Sequence, residues 1–239
     1  MSEPGREWPA DAPPADALRR FIASSLAEGR NLLGRGYQAP LYVWRDCHPP
    51  VVIKAAVGWL PLRLIRTWMV RREFRAYQRL RGLPGVPRCF GLLDGRYLVL
   101  EFVPGVPRHQ AAIADRQAFF AELLAVIQAM HQRGVAHGDI QKRDNLLVVD
   151  GRRPCIVDFG TAVVRREGLA PLNHWLFRFL SRLDCNTWVK LKVGGRLADA
   201  TPEDLAHYRR TWLEKAARQI KRAYTAPRRW WRRRRQPPS

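Results

Sequence analysis

Acidic side chains are scarce in this chain. Its 239 residues hold 21 Asp and Glu against 42 Lys and Arg, a formal net charge of +21. Residues 202–239 carry twelve basic and three acidic residues, and the rest of the chain is still strongly positive. Such a surface favours polyanions: nucleic acid, anionic lipid or a phosphorylated glycolipid. Cysteine is also sparse. Cys47, Cys89, Cys155 and Cys185 lie far apart with no Cys-x-x-Cys pair. That argues against a disulfide framework or zinc site and for reduced, mostly buried thiols. No run of 18 or more apolar residues occurs, so no segment is expected to span a bilayer. The opening MSEPGREWPADAPPADAL lacks a basic stretch followed by an apolar one, so no secretory leader is expected. No internal repeat is visible. What remains is a chain of ordinary apolar content, 46%, long enough to bury a core. The cytoplasm is the expected compartment, with peripheral association at the inner membrane left open.

Residues 1–14 read as disordered. Ala15 to Glu28 reads as a short helix, with Leu18, Phe21, Ile22 and Leu26 on one side and Gly29 as its stop. Two strand-like stretches follow, NLLGRGYQAPLYVW and PVVIKAAV, joined by the turn-rich RDCHPP. Residues 59–80 are helical in pattern, with Pro61 in the first turn, and RCFGLLDGRYLVLEFV is a strand-turn-strand unit marked by Asp94-Gly95. PGVPR reads as a linker. Residues 116–132 form a long helical pattern with Phe119, Phe120, Leu123, Leu124, Ile127 and Met130 apolar. Strands NLLVVD and PCIVDF enclose the turn GRR, and from Asn173 onward the chain is helical in character and increasingly basic. A strand-rich first part and a helix-rich second part, joined near Pro104 to Pro107, suggest two lobes.

Three motifs then fall in a fixed order: VVIK ending at Lys54, HGDIQKRDN at 137–145, and VDFG at 157–160. Phosphoryl transfer from ATP needs a loop over the phosphates, a cation on them, groups for magnesium, and a carboxylate to orient the acceptor hydroxyl. The chain offers a candidate for each. From about Leu33 to Gly160 it resembles the protein-kinase-like superfamily, closest in flavour to bacterial lipopolysaccharide core kinases and RIO-type kinases. The resemblance implies an α+β, two-lobed protein-kinase-like fold with a small β-rich N-lobe, a helical C-lobe and no full activation segment. It implies ATP and Mg2+ as cofactors. Lys54 would contact the α- and β-phosphates and pair with Glu73, the only acid in residues 59–80. Alone, Glu73 would read as a surface glutamate beside arginines; with the other motifs the ion pair is favoured. Asp139 would orient the acceptor hydroxyl, His137 would hold the loop, and Asn145 and Asp158 would bind magnesium. Gly34 and Gly36 would cover the phosphates, although Ala39 stands where a third glycine would help and an ordinary hairpin fits equally. Glu101 and Val103 occupy the place of hinge groups that bond adenine, a carry-over by position.

The pattern also departs from the family. Gln141 stands where many protein kinases carry a lysine that touches the transferred phosphate; Lys142 or Arg143 can serve instead. No Ala-Pro-Glu and no long activation segment follow Gly160, which argues for a small-molecule, glycolipid or atypical protein acceptor. One residue too many separates Asp139 from Asn145. Counted forward from Asp139, Asp144 takes the metal-binding place; counted back from Asp158, Asn145 does. The second count carries more weight, because two strands and a tight turn constrain that distance while a loop absorbs an insertion. The extra residue is therefore expected within IQKR, reshaping the acceptor floor and bringing Lys142 and Arg143 near the transferred phosphate. Asp184 either buttresses the catalytic loop or caps a helix.

Two basic stretches bear on partners. Residues 59–72, WLPLRLIRTWMVRR, contain four arginines and no acid, with Leu60, Leu64 and Trp68 at helical spacing and Leu62, Ile65 and Met69 widening that face. A helix packed on the small lobe fits this pattern, as does a basic amphipathic helix at an anionic membrane surface. The tail APRRWWRRRR suits an anionic membrane, RNA or a ribosomal particle, or a solvated segment without function. The expected organisation is a disordered N-terminus (1–14), a nucleotide-binding N-lobe (15–103), a catalytic C-lobe (104–225) and a basic tail (226–239). The expected activity is ATP- and Mg-dependent phosphotransfer to a sugar hydroxyl of lipopolysaccharide core or a related glycolipid. The alternatives are an atypical RIO-like Ser/Thr protein kinase and a nucleotide-binding pseudokinase.

Overall fold

A computed structural model describes residues 8–35 and 40–209. Residues 8–14 are not the loose segment expected of them. Trp8 donates its indole N–H to Pro13 O at 2.9 Å, and Ala12 is buried in the same core that Trp8 packs against. A large apolar ring held by one hydrogen bond is enough to fasten a proline-rich stretch. Helix α1 (Ala15–Glu28) follows and ends at Gly29. Leu18 and Ile22 are buried, whereas Leu26 is 37% exposed and lies off the packed stripe.

Strands β1 (Leu32–Arg35), β2 (Pro40–Trp44), β3 (Val51–Ala55), β4 (Cys89–Leu93) and β5 (Tyr97–Glu101) form one antiparallel sheet in the order β1-β2-β3-β5-β4. The two-residue period of β3 buries Val51, Ile53 and Ala55 in a core shared with Leu18 and Ile22 of α1. Lys54 therefore points to the opposite face. The β4–β5 turn forms at Asp94-Gly95, closed by Arg96 N–H on Leu93 O at 3.1 Å. Helix α2 (Leu60–Arg79), with Pro61 in its first turn, buries Val70, Glu73, Ala76 and Tyr77.

The stretch 105–107, read as linker, is instead a short strand. β6 (Gly105–Pro107) pairs with β8 (Leu146–Val149), which pairs with β9 (Arg153–Ile156). The absence of a side chain at Gly105 permits it: a Cβ there would sit 2.9 Å from Leu147 Cβ. Helix α3 (Arg116–Gln132) is capped by Asp115, which accepts from Ala118 N–H at 2.9 Å. Its buried stripe is Phe119, Phe120, Leu123, Val126, Ile127 and Met130. β7 (Val135–Ala136) pairs with β10 (Val163–Val164), and α4 (Pro171–Lys192) follows.

The chain divides into two compact units, residues 1–184 and 185–239, a division that cuts α4. In the second unit, α5 (Pro202–Ala206) begins with a reciprocal Thr201–Asp204 cap, and Asp204 also meets Lys192 Nζ at 2.6 Å. All four cysteines are free; Cys155 is buried and the other three are half-buried, so the thiols are less enclosed than expected. Among the described residues no helix is long and apolar enough to cross a membrane. The tail at 226–239 lies outside them.

Candidate active site

Lys54 and Glu73 meet because two periodicities converge. The strand alternation of β3 turns Lys54 away from the α1 face, and the buried stripe of α2 carries Glu73 inward. Lys54 Nζ lies 2.6 Å from Glu73 Oε1 and 2.6 Å from Asp158 Oδ1. Asp158 follows β9 with φ +65, a left-handed conformation that Asp tolerates better than most residues. Its other oxygen, Oδ2, lies 3.1 Å from Lys142 Nζ.

This charge cluster sits against apolar packing. The Phe159 ring is fully buried and meets Tyr77 edge-on at 5.0 Å and His137 edge-on at 4.8 Å. The Arg72 guanidinium donates to Gly160 O, so α2 is fastened to the turn after Asp158 one residue away from Glu73. Burial works against the Lys54 ammonium, but the carboxylates of Glu73 and Asp158 outweigh it and hold its pKa above the usual lysine value. Burial likewise works to raise the Asp158 carboxyl, and Lys54 and Lys142 overcome it, keeping the group well below the usual carboxylate range.

The loop 137–145 is held from three sides. His137 is fully buried; its Nδ1 accepts from Asp139 N–H at 3.2 Å, so the ring N–H is at Nε2, donating to Val157 O at 3.1 Å. Asp184, 1% exposed, accepts from His137 N–H and Gly138 N–H, both at 2.8 Å, and bonds His131 Nε2 at 3.0 Å. Gly138 has φ +78, and a Cβ there would press Leu180 at 3.1 Å. Thr161 Oγ1 donates to His137 O at 3.0 Å. Asp139 is thereby presented with its carboxylate unengaged among the described residues, while its carbonyl accepts from Asn145 Nδ2 at 2.9 Å.

The two counts across the loop give different neighbours. Asn145 is 2% exposed, and its backbone carbonyl accepts from Val157 N–H at 2.9 Å, immediately before Asp158. Asp144 is exposed and bonds nothing among the described residues. The loop bends tightly through 139–145: Lys142 N–H donates to Asp139 O at 3.3 Å, and Asn145 N–H to Lys142 O at 3.1 Å. Lys142 reaches the site, whereas Arg143 is exposed and only its carbonyl is engaged, by His109 Nδ1 at 3.4 Å. His137 has both ring nitrogens committed to backbone groups of Asp139 and Val157, so its ring ties the loop to the residue before Asp158.

The donor set suits a hard divalent cation. Asp158 supplies an ionised carboxylate, and Asn145, whose Nδ2 is taken by Asp139 O, has Oδ1 unclaimed among the described residues; oxygen donors of this kind match magnesium. At the end of β5, Glu101 N–H donates to Arg88 O at 2.8 Å and Val103 O accepts from Gly105 N–H at 2.8 Å. Those bonds engage the Glu101 donor and the Val103 acceptor, the halves that a hinge-bound adenine does not use. Gly34 lies in β1 opposite Leu41, and Gly36 falls outside the described residues. Sequence reasoning passed over Arg72, Tyr77 and Thr161. Nothing local separates Arg72 from the other arginines of α2; only its place beside Glu73 on the packed side offered a hint.

No protein-family model matches the chain. The chain is 31% identical over 176 residues to CBL-interacting protein kinase 25 of Oryza sativa subsp. japonica, covering 65% of this chain and 33% of that protein. It is 26% identical over 160 residues to serine/threonine-protein kinase ppk8 of Schizosaccharomyces pombe, covering 63% of this chain and 29% of that one. It is 29% identical over 148 residues to serine/threonine-protein kinase C of Synechocystis, covering 54% and 27%. The chain spans about a third of the length of the curated relatives it matches. Its architecture, a β-rich sheet region followed by a helical region, is an α+β, protein-kinase-like fold.

Proposed function

We propose that this chain is an ATP- and magnesium-dependent phosphotransferase in which Asp139 orients an acceptor hydroxyl. The observation that carries this reading is the Lys54 ammonium, aimed by Glu73 and Asp158 at 2.6 Å each, beside a loop that offers a free carboxylate at Asp139. In this reading Asp158 and Asn145 hold Mg2+, which when bound neutralises charge across the phosphate oxygens. Lys54 stays protonated and binds the α- and β-phosphates. The Glu101 carbonyl and Val103 N–H take the adenine edge. Asp139 accepts the hydrogen bond of the acceptor hydroxyl and takes its proton as that oxygen bonds to the γ-phosphorus and the bond from phosphorus to the β–γ bridging oxygen breaks, with ADP as the leaving group. Lys142, on an exposed side chain, reaches the transferred phosphate in place of the lysine that Gln141 replaces. His137 and Asp184 keep the loop in shape.

For the acceptor, similarity to Ser/Thr protein kinases favours a protein hydroxyl, and the glycolipid expectation drawn from sequence moves to second place. One observation still favours a sugar hydroxyl: residues 161–170 alone separate Gly160 from α4, a short stretch for docking an extended peptide. The test is transfer of labelled γ-phosphate from ATP to generic protein substrates, ribosomal particles, glycolipid extract and the chain itself. Asp139→Ala is expected to abolish transfer while nucleotide still binds, and Asp158→Ala to abolish both transfer and magnesium-dependent binding. Full activity in either variant overturns the assignment; magnesium-dependent nucleotide binding by wild type with no transfer to any acceptor would support the pseudokinase alternative.

A further inference from the structure

We propose that the outward face of the first half of α2 is a docking surface for an anionic lipid bilayer. Trp59, Leu60, Leu64, Ile65 and Trp68 are 71%, 59%, 62%, 57% and 60% exposed, five large apolar side chains within ten residues. Leu60, Leu64 and Trp68 stand four residues apart on one stripe of the helix, with Ile65 beside it and Trp59 at its N-cap. Monomeric proteins rarely leave contiguous apolar patches above a few hundred Å² uncovered, and those that do mark contact surfaces.

The packing of α2 makes the contrast sharper. Its buried residues begin at Val70, and none of residues 60–69 is buried. At about 1.5 Å per residue, roughly 15 Å of helix carries no fully buried side chain: its inner side, Leu62, Arg66, Thr67 and Met69, is half-buried and its outer side exposed. The packed-helix reading of this stretch therefore does not account for Leu60, Leu64, Ile65 and Trp68, which face outward while full burial begins at Val70.

Charge selects the occupant. Arg63 flanks the apolar stripe, and the stripe continues into Arg71 and Arg75, all exposed. Neither Arg63 nor Arg75 has an ion-pair partner among the described residues. Glu73, the only acid in the helix, is buried against Lys54. The charged side chains that α2 itself exposes on this side, Arg63, Arg71 and Arg75, are therefore all cationic. A second copy would bring the same arginines face to face, and the chain's own 210–239 segment is itself strongly basic, so like charge opposes both. A bilayer with anionic headgroups meets both features at once. Tryptophan and leucine enter the headgroup–acyl boundary while arginine side chains reach lipid phosphates. The convex side of a single helix also suits a soft planar surface better than it suits a peptide needing a groove.

The test is flotation of the full chain with vesicles of phosphatidylcholine alone and of phosphatidylcholine mixed with phosphatidylglycerol. Binding is expected only to the anionic vesicles, and rising salt should weaken it. Trp59→Ser with Leu64→Ser should lower the partition coefficient at least about tenfold, since each side chain removed was to be buried in the interface. Arg63→Glu with Arg75→Glu should lower it comparably through charge. Both variants alter exposed side chains outside the catalytic groups, so melting temperature and vesicle-free ATP turnover should stay at wild-type values. A full-chain variant with Arg232 to Arg235 changed to Gln reports the tail separately. The proposal is overturned if that tail variant alone abolishes flotation while both α2 variants float like wild type. It is also overturned if the α2 variants leave flotation unchanged but convert a dimer to monomer in light scattering, or weaken only the binding of an acidic polypeptide. The readout is binding, so it stands or falls independently of the phosphotransfer reading.

Discussion

Asp184→Ala should be among the changes most disruptive to the 137–145 loop, although Asp184 itself lies in α4. Its carboxylate is 1% exposed and accepts from the backbone N–H groups of His137 and Gly138 at 2.8 Å and from His131 Nε2 at 3.0 Å. Truncation leaves at least two of those donors without an acceptor where water has little access. Each stranded group costs about 1–3 kcal/mol, and more when the lost partner was charged. The expected destabilisation is therefore about 3–5 kcal/mol, a large share of the roughly 5–15 kcal/mol that holds a domain folded. Asp184→Asn keeps one acceptor oxygen but turns an NH2 toward a second donor, so about 1.5–3 kcal/mol should be lost. Urea unfolding at pH 7 measures both variants, and phosphate transfer at a temperature where each stays folded reports the loop. Transfer should fall with little change in nucleotide binding, because Lys54 and the end of β5 are untouched. A loss below about 1 kcal/mol for Asp184→Ala, the worth of one ordinary hydrogen bond, would refute the buttress and leave Asp184 as a helix residue with incidental contacts.

Lys54→Met strands Glu73, whose side chain is 3% exposed; an uncompensated buried charge costs about 3–5 kcal/mol, and adding Glu73→Leu should restore much of the stability in denaturant titrations but none of the phosphate transfer. The Asp158 carboxyl is held below its usual range, so its ion pairs contribute fully at neutral pH and are lost as pH falls through and below about 4. Asp158→Asn should therefore flatten the acid side of a melting-temperature profile, and parallel wild-type and variant profiles would contradict the ion cluster. Among the described residues the buried Tyr77 hydroxyl has no hydrogen-bond partner, so Tyr77→Phe should be neutral or stabilising by up to about 1 kcal/mol in the same titrations. A loss above that amount would point to a polar contact made through the hydroxyl.

What the sequence determined by itself is the local part. Helical period and stop signals delimit Ala15–Glu28 and Arg116–Gln132, and turn chemistry closes the hairpins at Asp94-Gly95 and at 150–152, because each is governed by residues within a few positions of one another. The order of Lys54, Asp139 and Asp158 along the chain is equally a local reading of motifs. Tertiary packing decided the rest. Lys54 and Asp158 lie 104 residues apart, and Asp184 reaches back 47 residues to His137; no window of sequence contains both partners. Asp184 read equally well as a helix cap, since only the approach of α4 to the loop brings three donors to one carboxylate. Spacing counted back from Asp158 already favoured Asn145 over Asp144 as the metal-binding candidate, and burial adds an independent distinction, with Asn145 inward and Asp144 outward. PGVPR looked like a linker because Pro and Gly break local patterns, yet Gly105 lets the chain pass close enough to Leu147 to pair. The apolar stripe of residues 60–68 shows the same division most clearly. Its period specifies a helix, but whether that face meets a core or the outside is decided by tertiary packing, and the fully buried positions of α2 begin only at Val70.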